Sequence, residues 1–341
     1  MRRARRVSVI VPVLVVLLAG TALAAQPGSG SSTGTGRVFF PNPVASLQDQ
    51  TLTDQKDADY PALQPAYVEV TLTNLDGSGF LSGDWANIHS STGPLAYSAT
   101  NTFVYDRHDD RFEQVMAYYW VTQAQLYILS LGFGTRLRPV NMESQDTRIN
   151  TWGQDNSFSW DRHDVLRFGK GGVDDAEDAE VILHEYGHAI QDSQMTPFGG
   201  FGTSVEAGSI GEGFADYWAV TVADVVAPTP DPACVADWDS VSYTSTTPHC
   251  LRRVDTDLHY PADLDGRVHH DGQIWSRALW DIRNALGHVV ADTIILEAQF
   301  SFAPDTSMPD AAEATVAAAS TLYGAAQAAA VQSAFEARGI L

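Results

Sequence analysis

Hydrophobic positions along the chain change from a period of two to a period of three or four, and that change predicts strands first and helices later. Residues 67–73 alternate apolar and polar side chains and predict a strand, followed by a turn over Leu75, Asp76, Gly77, Ser78 and Gly79. Between 111 and 131, Phe112, Val115, Met116, Tyr119, Leu126, Tyr127 and Leu131 return at helical spacing, and Gly132 is placed to end the helix. Residues 156–168 return to strand character through Phe158, Trp160, Val165, Leu166 and Phe168, until Gly169, Gly171 and Gly172 break the pattern. Asp174 or Asp175 can then cap a helix over 176–194. A second helix is predicted around Glu212, a third over 271–286 before Gly287, and the Ala-rich residues 309–338 are helical by propensity. No internal repeat interrupts this order. The pattern gives an α+β fold of two lobes. A β-rich N-terminal lobe covers 37–195 and ends in the 176–194 helix, and a mainly helical C-terminal lobe covers 196–341.

The N-terminus stands apart. Residues 1–6 are basic, an apolar stretch runs over 7–19, and Ala22, Leu23 and Ala24 fit a small-residue cleavage site. Residues 1–24 are therefore read as a signal peptide, the stretch being short for a membrane span. Residues 25–36, rich in Gly, Ser and Thr, read as a flexible linker. Removing four arginines with the leader takes the formal charge from −22 to −26, so neither nucleic acid nor an anionic membrane is an electrostatic partner. Lys56 and Lys170 are the only lysines. Such acidity is compatible with calcium binding, with high-salt adaptation, or with a compositional bias of the genome. Cys234 and Cys250 are the only cysteines, and in an exported protein they read as one disulfide closing a surface loop. Two free buried thiols are the alternative.

Within the 176–194 helix lies His184-Glu185-Tyr186-Gly187-His188, an HExxH motif in an apolar run. A separation of four residues puts both imidazoles on one helix face, at a spacing that can grip one ion. Glu185, a quarter turn away, sits beside the metal and can take a proton from its water. Three polar side chains in a buried helix are costly without partners, which argues against a pair of hydrogen-bonded core histidines. Zinc wants a third protein ligand and an open fourth position. Glu212, 24 residues after His188, is the best candidate; Asp216, one turn on, can support a ligand imidazole by hydrogen bonding. Glu206 is the rival third ligand. A solvated face is less fitting for Glu212 and Asp216, because Ala215, Trp218, Ala219 and Val222 mark a packed helix. His269 and His270 precede the third helix, and either could stabilise an oxyanion or be a surface histidine.

The three segments HEYGHAI, GEGFADYW and VHHDGQIW together resemble the gluzincin metallopeptidases, in particular the thermolysin and fungalysin families, with a spacing to Glu212 closer to fungalysin. Asn156-Ser157-Phe158, followed by Phe168 to Gly172, resembles the edge strand that pairs with substrate backbone in those families. The resemblance implies a thermolysin-like two-lobed fold with the HExxH helix between the lobes. It implies His184, His188 and Glu212 as ligands of one catalytic zinc, Glu185 as general base, Asp216 as supporting carboxylate, His269 as transition-state histidine and Asn156 as the substrate-binding asparagine. Relatives also use calcium structurally, and candidate acids are Asp174, Asp175, Glu177 and Asp178, with a second group between Asp255 and Asp265. The sequence departs from the family in two ways. Asp263 and Asp265 bracket the position at which the relatives carry an aspartate before the catalytic histidine, with Leu264 occupying it. The relatives' catalytic tyrosine has no clear counterpart. Residues 37–150 are read as the β-rich part of the catalytic unit rather than a long inhibitory pro-segment.

The expected function is a secreted, extracellular zinc endopeptidase acting on protein or peptide substrates, not stably inserted in a membrane once its leader is removed. Nothing in the sequence indicates an oligomeric state. Two other readings share the zinc site: a secreted binding or adhesion protein without catalysis, and a zinc hydrolase of a non-peptide bond. Intact Glu185 and His269 argue against the first, since neither is needed merely to hold zinc.

Overall fold

The computed structural model describes residues 32–194 and 203–341. The leader read at 1–24, residues 25–31 of the linker and the lobe boundary read at 195/196 lie outside the described residues. In chain order the first elements are strand β1 (Ser32–Phe39), helix α1 (Pro43–Leu47), strands β2 (Tyr67–Leu75), β3 (Ala86–Ser90) and β4 (Thr102–Phe103), and helix α2 (Phe112–Leu131). Strands β5 (Gln145–Ile149), β6 (Phe158–Trp160) and β7 (Val165–Arg167) lead to helices α3 (Ala179–Gln194) and α4 (Val205–Val226). A short ribbon of β8 (Cys234–Val235) and β9 (Arg252–Arg253) precedes α5 (Val268–Leu286), α6 (His288–Gln299), α7 (Met308–Tyr323) and α8 (Ala325–Ala337). The fold is thus α+β, with its larger sheets in the N-terminal region and helices through the C-terminal half.

One sheet has the order β2-β1-β4, with β1 antiparallel to β2 and parallel to β4. Its first strand corrects the linker reading, because β1 begins at Ser32, inside residues 25–36. The glycines there serve close packing. A Cβ on Gly34 would lie 2.4 Å from the Asn101 carbonyl oxygen, and one on Gly36 would lie 2.7 Å from Val115 Cγ1. Backbone pairing with β2 holds the polar start of this strand in place, while Val38 and Phe39 at its end are buried in the core.

The second sheet has the order β3-β5-β7-β6, parallel throughout except for β6, which runs antiparallel to β7 at the edge. The segment predicted as one strand over 156–168 is therefore a hairpin, turned by the 3-10 turn Asp161–His163. Helix α2 also departs from its prediction. The residues read as a one-sided stripe are buried, apart from half-buried Leu126, but so are Tyr118, Trp120, Val121 and Gln125 between them, so no single face is set apart. Strands of both larger sheets and helices α3, α4 and α6 all pack against it, so it runs through the core.

Helix α3 starts later than the sequence predicts. Residues Asp175–Glu177 form a 3-10 turn, and Asp178, not Asp174 or Asp175, caps the helix by accepting the Glu180 amide at 2.9 Å. Gly187 lets α4 approach, since a Cβ there would meet Ala215 Cα at 3.0 Å. Where α4 crosses α5, a Cβ on Gly213 would lie 2.3 Å from the Gly272 carbonyl oxygen. Behind these helices, buried Asp292 on α6 accepts hydroxyls from Tyr127 on α2 and Tyr217 on α4. The Ala-rich end forms two helices, divided at Gly324, whose φ is 93°.

Candidate metal centre

His184 and His188 stand one turn apart on α3, with ring centroids 4.9 Å apart and ring planes at 84°. Their Nε2 atoms face each other at 3.3 Å. Glu212, from the middle of α4, brings Oε2 to 3.3 Å from His184 Nε2 and Oε1 to 3.8 Å from His188 Nε2. All three residues are at least nine-tenths buried. Glu206, the rival ligand, lies near the start of α4 and interacts with Tyr260 instead.

Asp216, one turn beyond Glu212, holds the far side of the site. Its Oδ1 is 2.9 Å from His184 Nδ1, and it accepts two hydrogen bonds from Arg252 at 2.6 and 2.7 Å. Arg252 gives no sequence signal, because its partner lies 36 residues away and meets it only when β9 folds against α4. The Cys234–Cys250 disulfide closes the loop that ends beside it.

Charge is unevenly divided between the imidazoles. Burial opposes protonation of His184, but Asp216 and Glu212 outweigh it and hold its pKa up at about 10. Burial dominates at His188, which is depressed to about 4. Burial also works against the Glu212 carboxylate, yet His188, His184 and His269 bring it down to about 2. Asp216 is held still lower, since Arg252 outweighs its burial. A proton on His184 must leave before its Nε2 can act as a ligand.

Two further groups flank the cluster. Burial raises the Glu185 carboxyl to about 7, and the Ser159 amide of β6 donates to it. His269, placed by the sequence ahead of its helix, lies in the first turn of α5 with Nε2 3.3 Å from Glu212 Oε2. Asp263 and Asp265 serve other partners: Asp263 accepts the His259 amide at 2.8 Å, while Asp265 pairs with Arg267 and His270. A cleft of about 450 Å³ opens beside these groups, and its lining includes His184, Glu185, His269, Asn156, Ser157 and Tyr243.

The donor set fits zinc. Ligands at about 2.0–2.1 Å from one tetrahedral ion lie about 3.3 Å apart, the separation found between the two Nε2 atoms. Buried Glu212 Oε2 faces the Nε2 atoms of His184 and His269 at 3.3 Å, with no well-aligned hydrogen bond to either. Of the acids read as calcium candidates, Glu177 pairs with Arg107 at 2.8 Å, and Asp178 accepts the amides of Trp238 and Asp239. Asp255 pairs with Arg253 and Asp257 with Arg338.

No curated protein matches the chain in sequence. Among solved structures, the precursor of protealysin, a metalloproteinase from Serratia proteamaculans, shares the fold with a TM-score of 0.60 at 18% identity. That match covers 74% of this chain and 87% of the other, and makes the fold thermolysin-like. A family model described as fungalysin metallopeptidase matches residues 98–340, the span that carries the histidines, Glu212 and His269. The chain belongs to the fungalysin metallopeptidase family and is a zinc metalloendopeptidase.

Proposed function

We propose that the chain is a secreted endopeptidase whose zinc is held by His184, His188 and Glu212. The observation that carries this reading is the convergence of two imidazole nitrogens and one carboxylate at zinc-ligand spacing, beside an open cleft that His184 lines. Bound there, zinc supplies a Lewis acid that polarises a scissile carbonyl and lowers the pKa of water.

The chain's own groups do the rest. Glu185 is the general base, and a carboxyl raised by burial to about 7 is suited to taking a proton near neutrality and passing it to the leaving amine. His269 donates a hydrogen bond to the oxygen on which negative charge develops. Asp216, fixed by Arg252, holds the His184 ring in the orientation that points Nε2 into the site. An extended substrate adds to the edge strand β6, whose other side is taken by β7, and Asn156 at its entrance holds the peptide backbone. Ser159 of the same strand touches Glu185, so the strand that aligns the substrate also positions the base.

Secretion is supported by the Cys234–Cys250 disulfide. No helix among the described residues is long and apolar enough to cross a membrane. The test is metal removal and replacement during casein hydrolysis, with products read by mass spectrometry. Internal fragments that disappear with the metal and return with zinc support the reading. Hydrolysis that survives metal removal, or release of terminal residues alone, contradicts it.

A further inference from the structure

Arg252 reaches the metal centre from a loop that adds little to the core. Between β8 and β9 the chain runs over the surface, and residues 245–248 are exposed. The first arm of this loop is anchored. Ala236 donates its amide to Glu180 Oε2 at 2.6 Å, and Trp238 and Asp239 donate theirs to Asp178 Oδ2 at 3.1 and 3.2 Å. Those bonds tie the segment after β8 to the start of α3.

The second arm carries Arg252 and is held more weakly by its backbone. Its ladder to β8 is two residues long, with Val235 opposite Arg252 and Cys234 opposite Arg253. The amides of Leu251 and Val254 add one bond each, to the carbonyls of Val235 and Ala233 at 2.9 and 3.1 Å. A ribbon this short is marginal by itself in water. Arg253 pairs with Asp231 and Asp255, but those side chains are 44% and 39% exposed, and exposed pairs contribute little. The Cys234–Cys250 disulfide is the covalent link between the two arms. It starts from Cys234, which is 4% exposed, and ends two residues before Arg252.

From there the path to the histidine cluster takes two steps. Arg252 donates to both oxygens of Asp216 at 2.6 and 2.7 Å, and Asp216 Oδ1 meets His184 Nδ1 at 2.9 Å. A guanidinium fork binds a carboxylate through two nitrogens only when it is held in register. Ordering that side chain and its loop costs conformational entropy, which a cross-link removes in advance. We propose that the Cys234–Cys250 disulfide is a positioning element of the metal centre, holding Arg252 against Asp216 and, through it, the His184 ring. The consequence for zinc rests on the ligand set proposed above, and the test separates the two.

Zinc affinity is measured by competition with a chromogenic chelator in wild type, Cys234→Ala/Cys250→Ala, Arg252→Gln and the triple variant. Opening the disulfide is expected to weaken zinc binding about 10-fold while Arg252 is present. In the Arg252→Gln background the same change should matter by no more than about twofold, because the path is already cut. A cross-link that serves only the fold would lower the melting temperature in both backgrounds and leave zinc affinity alone. Cys234→Val/Cys250→Ser is the second open form should the alanine pair not fold, as circular dichroism will report. Equal affinity with and without the disulfide, or the same loss in both Arg252 backgrounds, overturns the proposal. Failure of both open forms to fold also overturns it, since the bond would then serve the whole lobe. A wild type that binds no zinc overturns the ligand set, and this proposal with it.

Discussion

Asp216 makes two contacts that depend on each other. It holds the His184 ring through Nδ1 and is itself held by the Arg252 fork, all within a buried pocket. Asp216→Asn keeps the shape but removes the charge that orients the imidazole. Zinc affinity is expected to fall about 10- to 100-fold, measured by competition with a chromogenic chelator. Unchanged affinity would show that His184 needs no such support. At this scale the sequence was readable where partners are neighbours along the chain. A four-residue spacing places His184 and His188 on one face before any tertiary structure exists. The Arg252–Asp216 pair joins segments 36 residues apart, and no local pattern marks it. His269 was readable only through its resemblance to relatives, because a histidine at the start of an amphipathic helix has no chemistry of its own.

Helices meet at the site because three glycines let them. Gly187 admits α4 against α3, while Gly213 and Gly272 bring α4 and α5 into backbone contact. Glu212 sits beside Gly213, so any displacement of α4 moves a proposed metal ligand. Gly213→Ala forces a methyl group into a gap of 2.3 Å, and is expected to destabilise the fold by about 1–3 kcal/mol and to lower bound zinc. Thermal melting and metal analysis of the purified variant check both; wild-type values in both would mean that the crossing can relax. Helices α4 and α5 were each predicted from their own periodicity, but their crossing was not, since it depends on which small residues face each other. The same limit explains β1. Gly34 and Gly36 resemble linker residues in sequence, yet they are small because Asn101, Val115 and Leu72 press against the strand.

The whole molecule carries a formal charge of −22, and some of its acids lie inside. Glu113 on α2 is 1% exposed, and neither carboxylate oxygen has a partner. Burial, then repulsion from Glu177 and Asp174, raises its pKa well above 4.5. A group raised in the folded state stabilises fully below its unfolded pKa, and that contribution is lost as pH rises through the folded value. Stability should therefore decline as pH rises above the ordinary glutamate value of 4.5, and Glu177, raised to about 7, acts in the same direction. Glu113→Gln should flatten that decline, as read by urea unfolding across the range. An identical slope in the variant would mean that Glu113 does not titrate there. The α+β order and the helical second half were readable because periodicity is local. The course of α2 through the core was not, because burial on every side depends on what packs around it.

The measurement that bears most directly on the central claim compares wild type with Glu185→Gln, reading zinc content and casein hydrolysis together. In the proposed site Glu185 lies beside the ligands without being one, so the variant should retain about one zinc per chain. Its hydrolysis should fall by about 10²- to 10⁴-fold, the usual contribution of a general base. Near wild-type hydrolysis by the zinc-loaded variant would contradict the role given to Glu185, and a wild type that binds no zinc would contradict the site itself.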